Sequence, residues 1–277
     1  ARPAPLVAAD LLRGVRSPAV GMRTLVYAHR PTGPLRLDLY EPPGPRGRAP
    51  AVLVIHGGAW RGGGRGQLPE LNRYLAARGY VVAAMEYRLA PAHRAPEQLR
   101  DVRDALAFLR GRAPALGIDP ARVVLLGRSA GGQLALLAGY TAGAAAVRGV
   151  VALYAPSDLR YGYAHPSDPD IIDSRAVLEG YLGGSPAEAG AEYDAASPVS
   201  HVGPGTQPTL LLHGQRDELV SRVQSERLAS RLAAAGRPHL LLRLPWATHG
   251  CDFNFAGPCG QLAAFAVERF LAAATTP

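Results

Sequence analysis

The sequence predicts an α/β fold: a mostly parallel central sheet with helices on both faces, an antiparallel N-terminal hairpin and a small cap insertion. Three observations predict it. From residue 50 onward, short continuous apolar runs alternate with stretches whose apolar residues recur at helical spacing, and such runs mark strands covered on both faces. Ahead of them, two segments alternate apolar and polar residues on either side of a turn signal, as half-buried antiparallel strands do. A long polar stretch, residues 156–204, breaks the rhythm, and a loop of that length inside a domain is usually functional or a lid.

Along the chain, residues 1–22 are rich in Pro, Ala and Arg without sustained periodicity and are expected to wrap the domain before regular structure begins. "MRTLVYAH" and "LRLDLYEP", separated by "RPTGP", read as a hairpin at one sheet edge. The parallel strands are "AVLVIH", "YVVAAMEY", "RVVLLG", "GVVALYA", "TLLLHG" and "HLLLRLP". Between them "LPELNRYLAARG", "PEQLRDVRDALAFLRG", "AGGQLALLAGY" and "SRVQSERLASRLAAAG" carry helical spacing, and "GQLAAFAVERFLAAA" closes the chain as a further helix. Strand and helix repeated in this order imply crossovers on both sheet faces. Within residues 156–204 "IIDSRAVLEGYL" is the clear helix candidate. The segment reads as a cap or lid insertion, with a plain surface excursion as the alternative.

The 277 residues fit a single domain, 1–277, long enough to bury about 75% of the surface of the unfolded chain. A hydrophobic share of 48% against 19% charged suits a globular protein and excludes a disordered one. The formal charge is +8, and all 30 basic residues are Arg. They are dispersed without a run or interleaved aromatics, so no nucleic-acid partner is expected. No stretch of eighteen or more apolar residues occurs, so no membrane span is expected within this chain. The chain begins at Ala1, which leaves open whether an upstream signal or anchor was removed; an exported or membrane-tethered placement is favoured over a cytoplasmic one. Cys251 and Cys259 have no second pair that would complete a zinc site. They are two thiols in a reducing compartment or one bridge in an oxidising one.

Gly127-Arg128-Ser129-Ala130-Gly131 is a G-x-S-x-G pattern where a strand meets a helix, the context of a nucleophile elbow. Small flanking residues are needed because a sharp turn leaves no room for a Cβ. The following helix points its positive end at the serine and favours developing negative charge. Upstream, "AVLVI" runs into His56-Gly57-Gly58-Ala59-Trp60. A glycine pair after a strand leaves backbone N–H groups uncovered, and those of Gly57 and Gly58, with that of Ala130, would make an oxyanion hole.

With these motifs the sequence resembles the α/β-hydrolases of the esterase/lipase group, near the hormone-sensitive-lipase-like and feruloyl/acetyl esterase families. The HGG-x-W loop, "YRLAP" at Tyr87 to Pro91, "GRSAGG" at Gly127 to Gly132, "HGQRDELV" and "ATHG" occur in the family's order and span roughly residues 50–250. Two positions depart from the pattern. Where many relatives have a third glycine this chain has Ala59, and where many have an acid before the serine it has Arg128.

A serine needs a base. His249 follows the last strand, sits beside Gly250 and precedes the last helix; the resemblance implies that this loop carries the catalytic histidine. His56 belongs to the glycine loop, His213 ends a strand as a structural histidine, and His165 and His201 lie in the insertion. The imidazole needs an orienting carboxylate. Asp217, in the turn after "TLLLHG", gives the order Ser129, Asp217, His249 described for this fold; Glu218 and Asp158 are alternatives. The expected protein is a serine carboxylesterase acting on a small-molecule ester of short acyl chain through an acyl-enzyme. Trp60, Tyr161 and Tyr163 would bind substrate, and no metal or organic cofactor is implied. An acetyl or feruloyl esterase on carbohydrate esters, a serine peptidase and a non-catalytic binding protein on the same scaffold are the competing expectations. Oligomeric state is not encoded in these motifs.

Overall fold

In the computed structural model, residues 19–44, 47–141 and 147–276 are described. The alternating segments form the expected hairpin, β1 (Gly21–Arg30) antiparallel to β2 (Gly33–Glu41). The N-terminal wrap expected for residues 1–22 lies outside the described residues up to position 18, and Gly21 and Met22 already belong to β1.

The apolar runs form β3 (Ala49–Ile55), β4 (Val81–Met85), β5 (Ile118–Arg128), β6 (Gly149–Leu153), β7 (Thr209–Gly214) and β8 (His239–Leu244). They join the hairpin in one eight-stranded sheet, ordered β1-β2-β4-β3-β5-β6-β7-β8. Every pairing from β4 through β8 is parallel. β3 pairs with β4 on one side and β5 on the other, so the strand order reverses between β3 and β5. In open α/β sheets the crevice beyond the carboxyl ends at such a reversal is where ligands bind. Those two ends are His56 and Ser129, the starts of the glycine loop and the elbow.

The crossovers supply α1 (Pro69–Ala76), α2 (Glu97–Gly111), a short α3 (Ala113–Leu116) and α4 (Ala130–Thr141). Between β6 and β7 the chain makes α5 (Leu159–Ala164), α6 (Ser174–Leu182), α7 (Gly190–Ala195) and a 3-10 turn at Pro198–His201. Only α6 was legible from spacing; α5 and α7, six residues each, are too short to display a period. α8 (Val223–Ala234) and α9 (Pro258–Ala274) complete the chain.

Alternation within the central strands splits the core in two. Leu53, Ile55 and Leu125 face one layer with Leu109 of α2 and Leu134 of α4, all fully or almost fully buried. Val52, Val54, Val124 and Leu126 face the other, with Leu75 of α1 and Val267 and Leu271 of α9. Burying each such side chain contributes about 1.5–3 kcal/mol, so a one-residue slip of any central strand exchanges two packed faces at once. This fixes the level at which the strand ends, and the loops beyond them, meet.

Candidate active site

β5 ends at Arg128 and α4 begins at Ala130, so the whole turn falls on Ser129, which is held at φ 52°. A non-glycine residue in this left-handed region is strained by roughly 1–2 kcal/mol. The surrounding glycines enforce it. A Cβ on Gly127 would lie 2.0 Å from the Gly131 carbonyl oxygen, and one on Gly131 would lie 2.2 Å from that of His56. The Ser129 N–H donates to the Leu153 carbonyl of β6 at 2.9 Å, leaving the side chain facing out beyond the sheet edge.

Three loops then converge. His249 Nε2 is 3.0 Å from Ser129 Oγ, and His249 Nδ1 is 2.8 Å from Asp217 Oδ2. Since a carboxylate only accepts, Nδ1 carries the proton and Nε2 is free to accept from the serine hydroxyl. Asp217 is locked in turn: its Oδ1 accepts from the Leu219 and Val220 N–H groups at 3.0 and 2.8 Å, and His213 Nε2 lies 3.1 Å from Oδ2. Burial pushes the Asp217 carboxyl upward, but the hydrogen bonds from His213 and His249 outweigh it and hold the group well below the usual carboxylate range. It is an anion throughout the neutral range.

The competing assignments fall elsewhere. Glu218 is exposed. Asp158 caps α5 by accepting from the Tyr161 N–H and pairs with Arg227 at 2.7 Å. His213 is buried, with Nδ1 2.7 Å from Ser225 Oγ. His56 is buried, stacked on Tyr87 at 4.1 Å and within 2.7 Å of the Gly57 carbonyl through Nδ1. His201 bonds the Ala195 carbonyl at 2.9 Å.

The glycine loop corrects one expectation. The Gly57 N–H donates to Gln67 Oε1 at 2.9 Å and is therefore engaged. Gly57 serves instead by close approach, since a Cβ there would lie 3.1 Å from the Arg128 carbonyl and 3.3 Å from Ser129 Cβ. Gly58 and Ala59 adopt positive φ, 118° and 52°, and Ala59 lines the cavity over the serine. With the Gly57 N–H engaged, those of Gly58, Ala59 and Ala130 are the remaining candidates for an oxyanion hole. Behind the loop, the Tyr87 hydroxyl donates to the His56 carbonyl at 3.1 Å, while neighbouring Arg88 binds the buried Asp101 carboxylate.

A cavity of about 70 Å³ opens above Ser129, walled by Trp60, Leu159, Gly162, Val177, Leu178 and Leu219 among others. Trp60 lines the cavity, its indole N–H donating to Gln133 Oε1 at 3.0 Å and its ring stacking on Tyr181 at 4.3 Å. Tyr161 and Tyr163 are not in the wall. Tyr161 stacks on His165, and the Tyr163 hydroxyl donates to Glu179 at 2.6 Å. On the short helix α5 the residue between them, Gly162, faces the cavity, and a lone glycine gave no sequence signal.

Sequence reasoning also missed a buried group joining two of the loops. Arg128 Nε donates to Asp252 Oδ2 at 2.6 Å, and the Tyr154 hydroxyl donates to Asp252 Oδ1 at 2.5 Å. The missing third glycine and the missing acid were visible in the motif; their partners were not. Cys251 and Cys259 form a disulfide with Cα atoms 5.6 Å apart, closing the segment just after His249 onto the start of α9.

A protein-family model, BD-FAE, matches residues 37–232. Esterase LipC of Mycobacterium tuberculosis is 32% identical over 242 residues, covering 80% of this chain and 58% of LipC. The chain thus spans little more than half the length of such relatives. Among solved structures, the thermostable carboxylesterase EstE1 from a metagenomic library superposes with a TM-score of 0.82 at 25% identity, covering 96% of this chain and 93% of EstE1. The butyrate-bound esterase Est2 of Thermogutta terrifontis gives 0.75 at 26% identity, with 91% and 94% coverage.

Proposed function

Since the chain belongs to the BD-FAE family, within the α/β-hydrolase esterases, we propose that it is a serine carboxylesterase that cleaves short-chain esters through an acyl-enzyme. The observation that carries this reading is the continuous hydrogen-bonded line from Asp217 through His249 to Ser129. His249 Nε2 takes the hydroxyl proton as Ser129 Oγ attacks the ester carbonyl, and Asp217 stabilises the imidazolium. The carbonyl oxygen, now an anion, is met by the N–H groups of Gly58, Ala59 and Ala130 at the positive end of α4. His249 then returns the proton to the departing alcohol, and a water repeats the sequence to free the acid.

The short-acyl preference rests on the cavity. At about 10–15 Å³ for each water-sized group, a cavity of about 70 Å³ holds a handful of heavy atoms, the size of an acetyl to butyryl group. Binding of butyrate by the related Est2 supports the same range. Residues 156–204 act as a fixed cap: the Gln133 side chain holds the Ala196 carbonyl at 2.7 Å while accepting from Trp60, and Tyr181 stacks on Trp60. The Cys251–Cys259 bridge supports an exported or membrane-tethered location, since such bonds persist in oxidising compartments.

The test is labelling with a p-nitrophenyl phosphonate followed by peptide mapping, alongside hydrolysis of p-nitrophenyl acetate and butyrate. Stoichiometric modification of Ser129 with loss of turnover is expected; an unmodified Ser129 in a protein that still hydrolyses the esters would refute the assignment.

A further inference from the structure

We propose that the Arg128–Asp252–Tyr154 group is a positioning device that sets the orientation of His249 relative to Ser129. The proposal rests on the serine-hydrolase reading above and deepens it. Arg128 immediately precedes the nucleophile, Asp252 lies three residues beyond the base, and both side chains are almost wholly buried, at 3% and 2% exposure. Each oxygen of the Asp252 carboxylate has a short partner, Arg128 Nε at 2.6 Å and the Tyr154 hydroxyl at 2.5 Å. The Tyr154 ring meets the His249 imidazole edge-on, with centroids 4.6 Å apart and planes inclined at 62°.

Tyr154 is itself held at positive φ, 43°, at the end of β6, with its N–H on the Leu212 carbonyl at 2.7 Å. Adjacent Leu153 receives the Ser129 N–H. One buried carboxylate therefore ties the elbow, the tyrosine that walls the imidazole and the loop carrying that imidazole. The cation of this pair sits on the elbow and the anion on the histidine loop. Removing water from an ion pair is unfavourable unless its geometry and remaining hydrogen bonds are complete, and a buried pair in this place does more than fill space. It offers the imidazole a neutral neighbour whose two charges cancel.

Among the described residues, His249 meets Asp217, with His213 behind it, Ser129, and Tyr154, with Asp252 and Arg128 behind that. Breaking the pair from either side makes opposite predictions. Asp252→Asn leaves the Arg128 cation unbalanced, disfavours the imidazolium and moves the His249 titration to lower pH. Arg128→Met leaves the Asp252 anion unbalanced and moves it to higher pH. Each shift is expected to be about half a pH unit or more. It is read both as the acid limb of kcat/KM and, independently of any ester, as the midpoint of the His249 ring resonances by NMR.

Because unbalanced buried charges destabilise the fold, Tyr154→Phe and the double variant Arg128→Met/Asp252→Leu accompany them. In Tyr154→Phe the ring stays and the tether to Asp252 goes. Rates are taken per active site counted by phosphonate titration, which removes any loss from unfolded protein. Expected are a drop in kcat of about tenfold for Tyr154→Phe and the double variant, from a misaligned general base, with KM changed less than about twofold. Full kcat per site in both variants would overturn the positioning role, as would His249 midpoints that move in the same direction in the two single variants. Wild-type protein that neither hydrolyses esters nor labels at Ser129 would instead refute the hydrolase reading, leaving the NMR midpoints to decide the coupling.

Discussion

The elbow and the segment between β6 and β7 meet over the same cavity, yet they are specified in different ways. Around Ser129 the backbone is fixed by contacts that tolerate no additional atom: Cβ atoms on Gly127 and Gly131 would sit 2.0 and 2.2 Å from carbonyl oxygens. Across the cavity, the wall made by residues 156–204 is fixed by side chains that hold one another, such as Trp60 on Tyr181 and Gln133 on the Ala196 carbonyl. Steric exclusion by backbone leaves a mark in the sequence because only glycine satisfies it. Packing among ordinary side chains admits many solutions and leaves none. The reaction is therefore encoded rigidly and the substrate's dimensions loosely.

The largest effect expected on the rigid side is that of Ser129→Ala, a loss on the order of 10⁶-fold in kcat with the melting temperature unchanged, since the hydroxyl takes part in no packing. Ester turnover measured beside a thermal melt checks both halves. Near-normal turnover would show that the tightly built elbow serves some other purpose and would dissolve the contrast.

Next is Asp217→Asn, expected to lower kcat by about 10⁴-fold because an amide presents the wrong partner to His249 Nδ1. Asp158→Asn, at the cap of α5, should change kcat less than about twofold. The pH dependence has a definite sign. Asp217 titrates in the folded protein below its unfolded value of about 3.9, so its contribution to stability is complete above that value and is lost only as pH falls through the folded one. Unfolding as pH falls below that unfolded value thus reports Asp217. A profile in which the wild type and Asp217→Asn denature at the same acidic pH would contradict this assignment.

What the sequence disclosed follows the same division. Ser129, Asp217 and His249 were legible because strand, turn and helix signals put them at the carboxyl ends of β5, β7 and β8 in a fixed order. The hairpin and the helices of eight residues or more were legible from periodicity, which needs two turns or more to appear. Gly57 was assigned an N–H that Gln67, ten residues downstream, already occupies; a side chain returning from a loop of that length has no period to betray it. Tyr161 and Tyr163 were chosen for their chemistry, but on α5 they flank the residue that faces the cavity. Arg128 registered only as a departure because its partner lies 124 positions away.

The disulfide sits at the boundary between the two modes, a covalent constraint on the loop that bears the base. Closing a loop of this length contributes about 2.5 kcal/mol in the chain-entropy estimate. Reduction followed by alkylation should lower the melting temperature by several degrees and reduce kcat more than it raises KM, since His249 precedes the bridge by two residues. Intact mass confirms the redox state. A reduced protein with unaltered kcat would show that Asp252 and the backbone suffice to hold the loop.

The smallest effects, and the ones that test the loosely specified wall, concern acyl length. A methylene that finds a fitting apolar channel is worth about 0.8 kcal/mol, close to fourfold in kcat/KM. In a cavity of about 70 Å³ the gain should stop by butyryl, after which each added carbon displaces wall atoms. For p-nitrophenyl esters from acetyl to palmitoyl, kcat/KM should therefore peak early and fall. Gly162 sets this limit from one side: a Cβ placed there lies 3.2 Å from Gln224 Nε2 and 3.9 Å from Leu178 Cδ1, both in the cavity wall. Gly162→Val should lower kcat/KM for butyryl esters by about tenfold while leaving acetyl esters within about twofold, and Leu178→Ala should carry the peak outward by one or two carbons. Neither touches the line from Asp217 to Ser129, so a matched loss on acetyl and butyryl esters would mean that wall and elbow are not separable. A steady climb to palmitoyl in the wild type would mean that the α5–α6 wall opens far enough to admit a long chain, and that the side of the site held by side chains is also the side that moves.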